Sequence, residues 1–257
     1  LRRRVLVGGG VILLFLLLIR PSSKKRREAQ TFCRHPFAHR GLHSREIPEN
    51  TLPAFRRARE ESVGIELDVR LTKDKEPIVF HDETLLRAAG MNTRISDITY
   101  AELKTIPLFN TKETIPHLAE AIQEAGGTPL LIEIKAEFDC AEICEKTADL
   151  ISGYPGEIAV ESFSPLVLRW FAKNRPAVLR GQLSSRFKDP DAKAIPLWER
   201  ILITSLITNI IAKPDFIAYD IRNKHQPAFL LCRKIFCTPY LYWTVKGGKK
   251  ENCIFEN

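Results

Sequence analysis

Short apolar runs alternate with longer amphipathic stretches along most of the chain. Eight runs rich in Ile, Val, Leu and aromatic residues, bounded by Gly, Pro or charge, predict strands at 36–38, 64–69, 77–80, 129–134, 158–162, 178–183, 215–219 and 239–245. Helical stretches fall between them. One at 50–62 opens on a capping Asn50, and others follow at 96–106, 116–125, 140–151, 165–174, 195–212 and 224–234. Strands alternating with helices predict a parallel sheet. Eight of them in about 225 residues predict a closed α/β barrel of the (β/α)8 TIM type. One connection is odd: only a short Lys73-Asp-Lys-Glu-Pro turn separates the second and third strands, too short for a crossover helix. No internal repeat and no second domain is visible.

The first 35 residues follow a different pattern. An apolar run at 5–19 predicts a hydrophobic membrane anchor over residues 1–20, followed by a basic linker at 21–35 and the barrel at 36–257. The chain carries 39 Lys and Arg against 31 Asp and Glu, a net charge of +8. Eight of those cations lie in residues 1–27, which hold no acid, so the remainder is balanced at 31 against 31. The basic character therefore belongs to the tail and points to a lipid bilayer rather than to nucleic acid. More cations follow the apolar run than precede it, which favours a cytoplasmic catalytic domain. The six cysteines show neither zinc spacing nor a disulfide framework.

In a barrel of this type, reactive groups collect at the C-terminal ends of the strands. His39-Arg40 ends the first predicted strand, Glu66-Leu67-Asp68 the second, His81-Asp82 the third, Glu133-Ile134-Lys135 the fourth and Glu161-Ser162-Phe163 the fifth. The two-residue period of a strand sends Glu66 and Asp68 to one face and Ile65, Leu67 and Val69 to the other. Glu133 and Lys135 follow the same rule. Three carboxylates converging from two strands repel one another unless a cation joins them, and hard oxygen ligands suit Mg2+ or Ca2+ better than zinc. His39 and His81 titrate near neutrality and suit acid and base roles. Arg40 and Lys135 match phosphate oxygens, with neutralisation of the adjacent carboxylates as the alternative.

Together these residues form an ordered pattern: Ala38-His39-Arg40-Gly41, Pro48-Glu49-Asn50-Thr51, Glu66-Leu67-Asp68-Val69, Val79-Phe80-His81-Asp82, Ile132-Glu133-Ile134-Lys135, Ser162-Phe163 and Trp243-Thr244-Val245. The pattern resembles the glycerophosphodiester phosphodiesterase family over residues 36–257, in its membrane-anchored bacterial type. The resemblance implies a divalent cation, Mg2+ or Ca2+, held by Glu66, Asp68 and Glu133. It also implies an acid/base pair in His39 and His81 and a phosphate contact in Arg40. Glu49 matches a further active-site carboxylate, and Phe163 and Trp243 complete the match. The implied reaction releases sn-glycerol 3-phosphate and an alcohol from a glycerophosphodiester. A lysophospholipid or phosphatidylinositol-type phosphodiesterase is the alternative within the same fold, and a non-catalytic membrane scaffold the alternative outside catalysis. One departure stands out. After Trp243 a short polar stretch takes the place of a full helix, so the eighth helix is expected to be shortened.

Overall fold

The computed structural model describes residues 2–136, 139–187, 195–247 and 253–256. Two helices, α1 (Arg2–Ile19) and α2 (Arg26–Phe32), precede the sheet. Strand β1 (Phe37–Ala38) leads through α3 (Leu52–Glu60) to β2 (Gly64–Leu71), β3 (Pro77–Val79) and the short helices α4 (Leu86–Ala89) and α5 (Tyr100–Leu103). Next come α6 (Leu118–Ala125), β4 (Leu130–Ile134), α7 (Ala141–Leu150), β5 (Ile158–Ser162), α8 (Pro165–Asn174) and β6 (Leu179–Ser184). The chain continues through α9 (Leu197–Thr204), α10 (Asn209–Ala212), β7 (Phe216–Asp220), α11 (Pro227–Lys234), β8 (Tyr240–Lys246) and β9 (Cys253–Glu256).

Eight strands form a closed parallel barrel in the order β1, β2, β4, β5, β6, β7, β8, β9, with β9 pairing back onto β1. Alternation along each strand decides which side chains fill it. Ile65, Leu67, Val69, Leu130, Ile132 and Ile134 pack outward with α3, α6, α7 and α8 in the largest core cluster. Leu131, Ala159, Phe216, Ala218, Leu241 and Ile254 fill the interior. The base of the barrel is plugged by Phe32 and Phe37, whose ring centroids lie 4.9 Å apart. Glycine makes room for this plug. A Cβ on Gly64 would stand 2.6 Å from the Phe37 ring, and one on Gly181 would stand 2.3 Å from Phe216.

The structure corrects four expectations. The run at 77–80 is not a barrel strand: β3 pairs antiparallel with β2, Val69 opposite Val79. The five residues between them, 72–76, make a hairpin, because a parallel crossover needs a dozen or more. The eighth barrel strand is instead β9, so Trp243 stands on the seventh. The shortened helix expected after Trp243 falls on residues 248–252, outside the described residues. The linker at 21–35 contains α2, whose Ala29 and Phe32 are fully buried beneath the barrel. The helix expected over 195–212 breaks into α9 and α10 at Leu206, which has φ of 57° and a buried side chain.

Residues 2–19 form a helix, as the apolar run implies, but no described helix is long and apolar enough to cross a membrane. The 18 residues of α1 rise about 27 Å and include Arg2, Arg3 and Arg4, which leaves its apolar part short of the roughly 30 Å hydrocarbon core. The C-terminal end of α1 docks on the barrel. Ile19 is buried, and its carbonyl accepts a 2.7 Å hydrogen bond from Asn209 Nδ2. None of the six cysteines is in a disulfide.

Candidate active site

The strand ends deliver the polar side chains to one place. Asp68, Glu133 and Glu161 occupy the same level of β2, β4 and β5, because Asp68 pairs in register with Glu133 and Glu133 with Glu161. Glu66 sits one inward-facing position below Asp68. One oxygen from each of Glu66, Asp68 and Glu133 lies within 4.8 Å of the others, and all three residues are buried. Lys135 Nζ stands 3.0 Å from Asp68 Oδ1 and 2.7 Å from Glu133 Oε1. Arg40 follows β1 in a left-handed turn, with φ of 55°. That turn aims its backbone N–H at Glu66 Oε2, 2.8 Å away, and its guanidinium at Glu49 Oε1, 2.7 Å away.

Asn50 was expected to cap α3. Thr51 takes that position, and Asn50, also left-handed at φ 56°, donates from Nδ2 to Asp68 Oδ2 at 2.9 Å. His39 is tied through its backbone N–H to the Phe255 carbonyl at 2.8 Å, so β9 positions it. His81 follows β3 and faces Asp82 Oδ1 through Nδ1 at 2.7 Å. Arg87, from α4, joins the two sides: Nε donates to Asp82 Oδ2 at 2.7 Å, and Nη2 donates to Glu49 Oε1 at 2.6 Å.

A cavity of about 400 Å3 opens over this cluster. Of the ten residues singled out in the sequence, His39, Arg40, Glu66, His81, Glu133, Lys135, Phe163 and Trp243 line it. The other two stand directly behind, Asp68 against Lys135 and Glu49 against Arg40. Phe163 meets Trp243 edge to face at 5.8 Å. Glu161, Asp82, Asn50 and Arg87 belong to the same assembly and were not singled out. The two-residue period that marks Glu133 also marks Glu161 in the neighbouring strand, and Asp82 is adjacent to His81. Nothing in the sequence joins Arg87 to Glu49, 38 residues away.

Electrostatics follow from this crowding. Burial, with Asp68 and Glu133 beside it, pushes Glu66 well above the usual carboxylate range. Burial and then Glu66 and Glu133 do the same to Glu161, whose Oε2 has no hydrogen-bond partner. Asp68 goes the other way: burial opposes its ionisation, but Lys135, His81 and Arg40 hold it well below the usual range. Burial and the neighbouring Arg40 charge lower His39 to about 3, so it is neutral at pH 7. Burial opposes the charge on Glu49 as well, yet Arg87 and Arg40 hold it down to about 2.

The donor set fits a divalent cation. Four buried carboxylates (Glu66, Asp68, Glu133, Glu161) crowd these strand ends, and Arg40 and Lys135 contact only some of their oxygens. Among the described residues, Glu66, Asp68 and Glu133 are the group whose oxygens converge closely enough to ligate an ion.

The sequence model of the glycerophosphoryl diester phosphodiesterase family matches residues 39–209, more than half of the chain. The chain belongs to this family. A glycerophosphodiester phosphodiesterase from Bacillus altitudinis is 51% identical over 155 residues, 55% of this chain and 63% of that one. One from Caldanaerobacter subterraneus subsp. tengcongensis is 37% identical over 158 residues, 57% of this chain and 65% of that one. A human lysophospholipase D is 32% identical over 144 residues, 51% of this chain and 45% of that one. The chain thus spans less than two thirds of the length of these relatives. Solved structures agree on the fold. An Oleispira antarctica phosphodiesterase in complex with the product sn-glycerol-3-phosphate superposes with a TM-score of 0.68 at 22% identity, over 89% of this chain and 94% of that one. The family match begins at His39 and takes in every site residue named above except Trp243.

Proposed function

We propose that this member of the glycerophosphoryl diester phosphodiesterase family hydrolyses glycerophosphodiesters to sn-glycerol 3-phosphate and an alcohol, with a divalent cation at Glu66, Asp68 and Glu133. The observation that carries the reading is the convergence of three buried carboxylates, the cations Arg40 and Lys135 and two histidines at one cavity. The product bound by the Oleispira relative and the activities named for the Bacillus and Caldanaerobacter relatives support it. A bound Mg2+ or Ca2+ supplies positive charge for the phosphoryl oxygens as negative charge develops on them. Arg40 offers a planar fork to the same oxygens, and Lys135 a point charge. Both are already fixed by carboxylates, so little reorganisation accompanies the reaction.

His81 is held by Asp82 at Nδ1, which leaves Nε2 to accept a proton from the nucleophile, either water or the substrate's own glycerol hydroxyl. His39 lines the same cavity. The charge of a bound phosphodiester opposes the effects of burial and Arg40 that keep its imidazole neutral, so His39 takes up a proton with substrate and delivers it to the leaving alkoxide. Phe163 and Trp243 wall the cavity and exclude water.

The test is release of sn-glycerol 3-phosphate from a panel of glycerophosphodiesters, with and without a chelator. Release that stops on chelation and returns with Mg2+ or Ca2+ is expected. Release indifferent to chelation would remove the cation from this account and favour the phosphatidylinositol-type chemistry.

A further inference from the structure

A second, smaller cavity of about 210 Å3 lies against the first. Glu133, Lys135 and Phe163 line both, so the two share a wall. The smaller one is also lined by Arg70 and Ser164. Arg70 follows Glu66 and Asp68 in the two-residue period of β2, one level nearer the barrel mouth. It is half-buried, and its Nε donates to the His81 carbonyl at 2.8 Å.

Arg70 differs from the other cations of the site in having no carboxylate of its own. Arg40 is held by Glu49 and Asp68, and Lys135 by Asp68 and Glu133. The carboxylates whose charge reaches Arg70 are Asp68, Glu133, Glu83 and Asp82. Each is held by another cation: Asp68 and Glu133 by Lys135, Glu83 by Arg94 at 3.1 Å, and Asp82 by Arg87 at 2.7 Å. Among the described residues no carboxylate pairs with Arg70. A guanidinium offers five N–H donors in a planar fork that matches a carboxylate or a phosphate, and the His81 carbonyl takes only one of them. A half-buried cation with no anion beside it is unfavourable, and the cavity leaves room for one to enter. Ser164, the N-cap residue of α8, adds a hydroxyl that makes no capping bond.

We propose that Arg70, with Ser164, forms a subsite for a second anionic group on the substrate, so that the enzyme prefers glycerophosphodiesters whose head-group alcohol itself carries a carboxylate or a phosphate. The inference rests on the phosphodiesterase reading above and specifies its head group. The glycerol of sn-glycerol 3-phosphate is uncharged, so a second anion arrives only on the alcohol. Lys135 stands in the shared wall, with the scissile phosphate on one side and the second anion, on a short carbon tether, on the other. The bond that breaks is unchanged; the subsite acts by binding and orientation.

The full chain, with Mg2+ or Ca2+, is assayed on two matched pairs of diesters, followed by loss of the diester. Glycerophosphoserine differs from glycerophosphoethanolamine by a carboxylate, and glycerophosphoglycerol phosphate differs from glycerophosphoglycerol by a phosphate. The wild type should show the higher kcat/KM on the anionic member of at least one pair, and the pair concerned identifies the anion. In Arg70→Met that ratio should fall at least about tenfold, as loss of a charge-assisted hydrogen bond implies, and Arg70→Lys should restore part of it. Loss of the His81 contact alone slows all four diesters alike and leaves each ratio untouched. A wild type without preference in either pair, or a preference that survives Arg70→Met, would overturn the proposal. A wild type that turns over none of the four refutes the phosphodiesterase reading instead. Calorimetric titration of the same unhydrolysed diesters into wild type and Arg70→Met then still decides whether Arg70 selects the anionic member.

Discussion

Glu66→Gln separates the two consequences of crowding carboxylates in a barrel. Glu66 is 2% exposed and has Asp68 and Glu133 beside it, with the Arg40 N–H as its hydrogen-bond donor. Its folded-state pKa is raised. The stability it contributes is therefore fully present below the unfolded carboxyl value, about 4.3, and is lost as pH rises through the folded value. Above the unfolded value, burial beside Asp68 and Glu133 therefore costs the cation-free wild type on the order of 1–3 kcal/mol, because the unfolded chain ionises this carboxyl more readily than the barrel does. Glutamine keeps the shape and an oxygen for the Arg40 N–H but has no charge to bury. Cation-free Glu66→Gln should therefore melt a few degrees above the cation-free wild type at pH 8, at about 2–4 °C per kcal/mol for a chain of this size. The gap should close below about pH 4, where both side chains are neutral. A cation at 100 times its dissociation constant adds about 2.7 kcal/mol to the wild type, or roughly 5–11 °C, and should add almost nothing to the variant. Thermal melts with EDTA and with Mg2+ or Ca2+ at pH 4 and pH 8 read all four values. A full cation-induced rise in Glu66→Gln would show that Glu66 is not a ligand, and a less stable cation-free variant at pH 8 would refute the crowding argument.

His39→Ala and His81→Ala should each lower kcat by about 10²–10⁴-fold with the cation still bound, as followed by steady-state kinetics and isothermal titration. Asp82→Asn should reproduce much of the His81 loss with little change in melting temperature, because its role is to hold the ring rather than the fold. Phe255→Ala should cost about 3–5 kcal/mol in denaturant unfolding, since this ring is 1% exposed and packs in the main core cluster.

Local rules carried the sequence reading furthest. The two-residue period placed Glu66 with Asp68 and Glu133 with Lys135, and all four side chains converge as that parity implies. The same period sets Trp243 in the interior cluster and Tyr240 and Tyr242 in a cluster outside it. Cover for those tyrosines comes from α11, where Phe229 meets both rings edge-on and Arg233 stacks on Tyr240. Elements without a period of their own were misread. Strand β9 has four residues and no alternation long enough to register, and it forms because β1 and β8 offer it two open edges. Helix α2 hides two buried positions in a basic run. The Arg87 bridge depends on a four-residue helix brought to Glu49 by the tertiary fold alone. The short turn beginning at Lys73 did carry the signal for a hairpin, since the five residues between β2 and β3 cannot cross over a sheet.

Synthesis order gives β9 a further consequence. Of the eight barrel strands it is the last to leave the ribosome, and it pairs with β1, the first. The nascent chain therefore holds every carboxylate and histidine of the cluster, from His39 to Glu161, while the seam beside His39 is still open. Until residues 253–256 emerge, the backbone N–H of His39 has no carbonyl to meet, and Phe32, Phe37 and Phe216 lack Ile254 in their interior cluster. A growing chain of this kind exposes an unpaired strand edge at each side of the seam, the surface through which neighbouring nascent chains join. Ribosome spacing and the rate of translation between Glu161 and residues 253–256 thus bear on its yield as directly as the stability of the finished barrel.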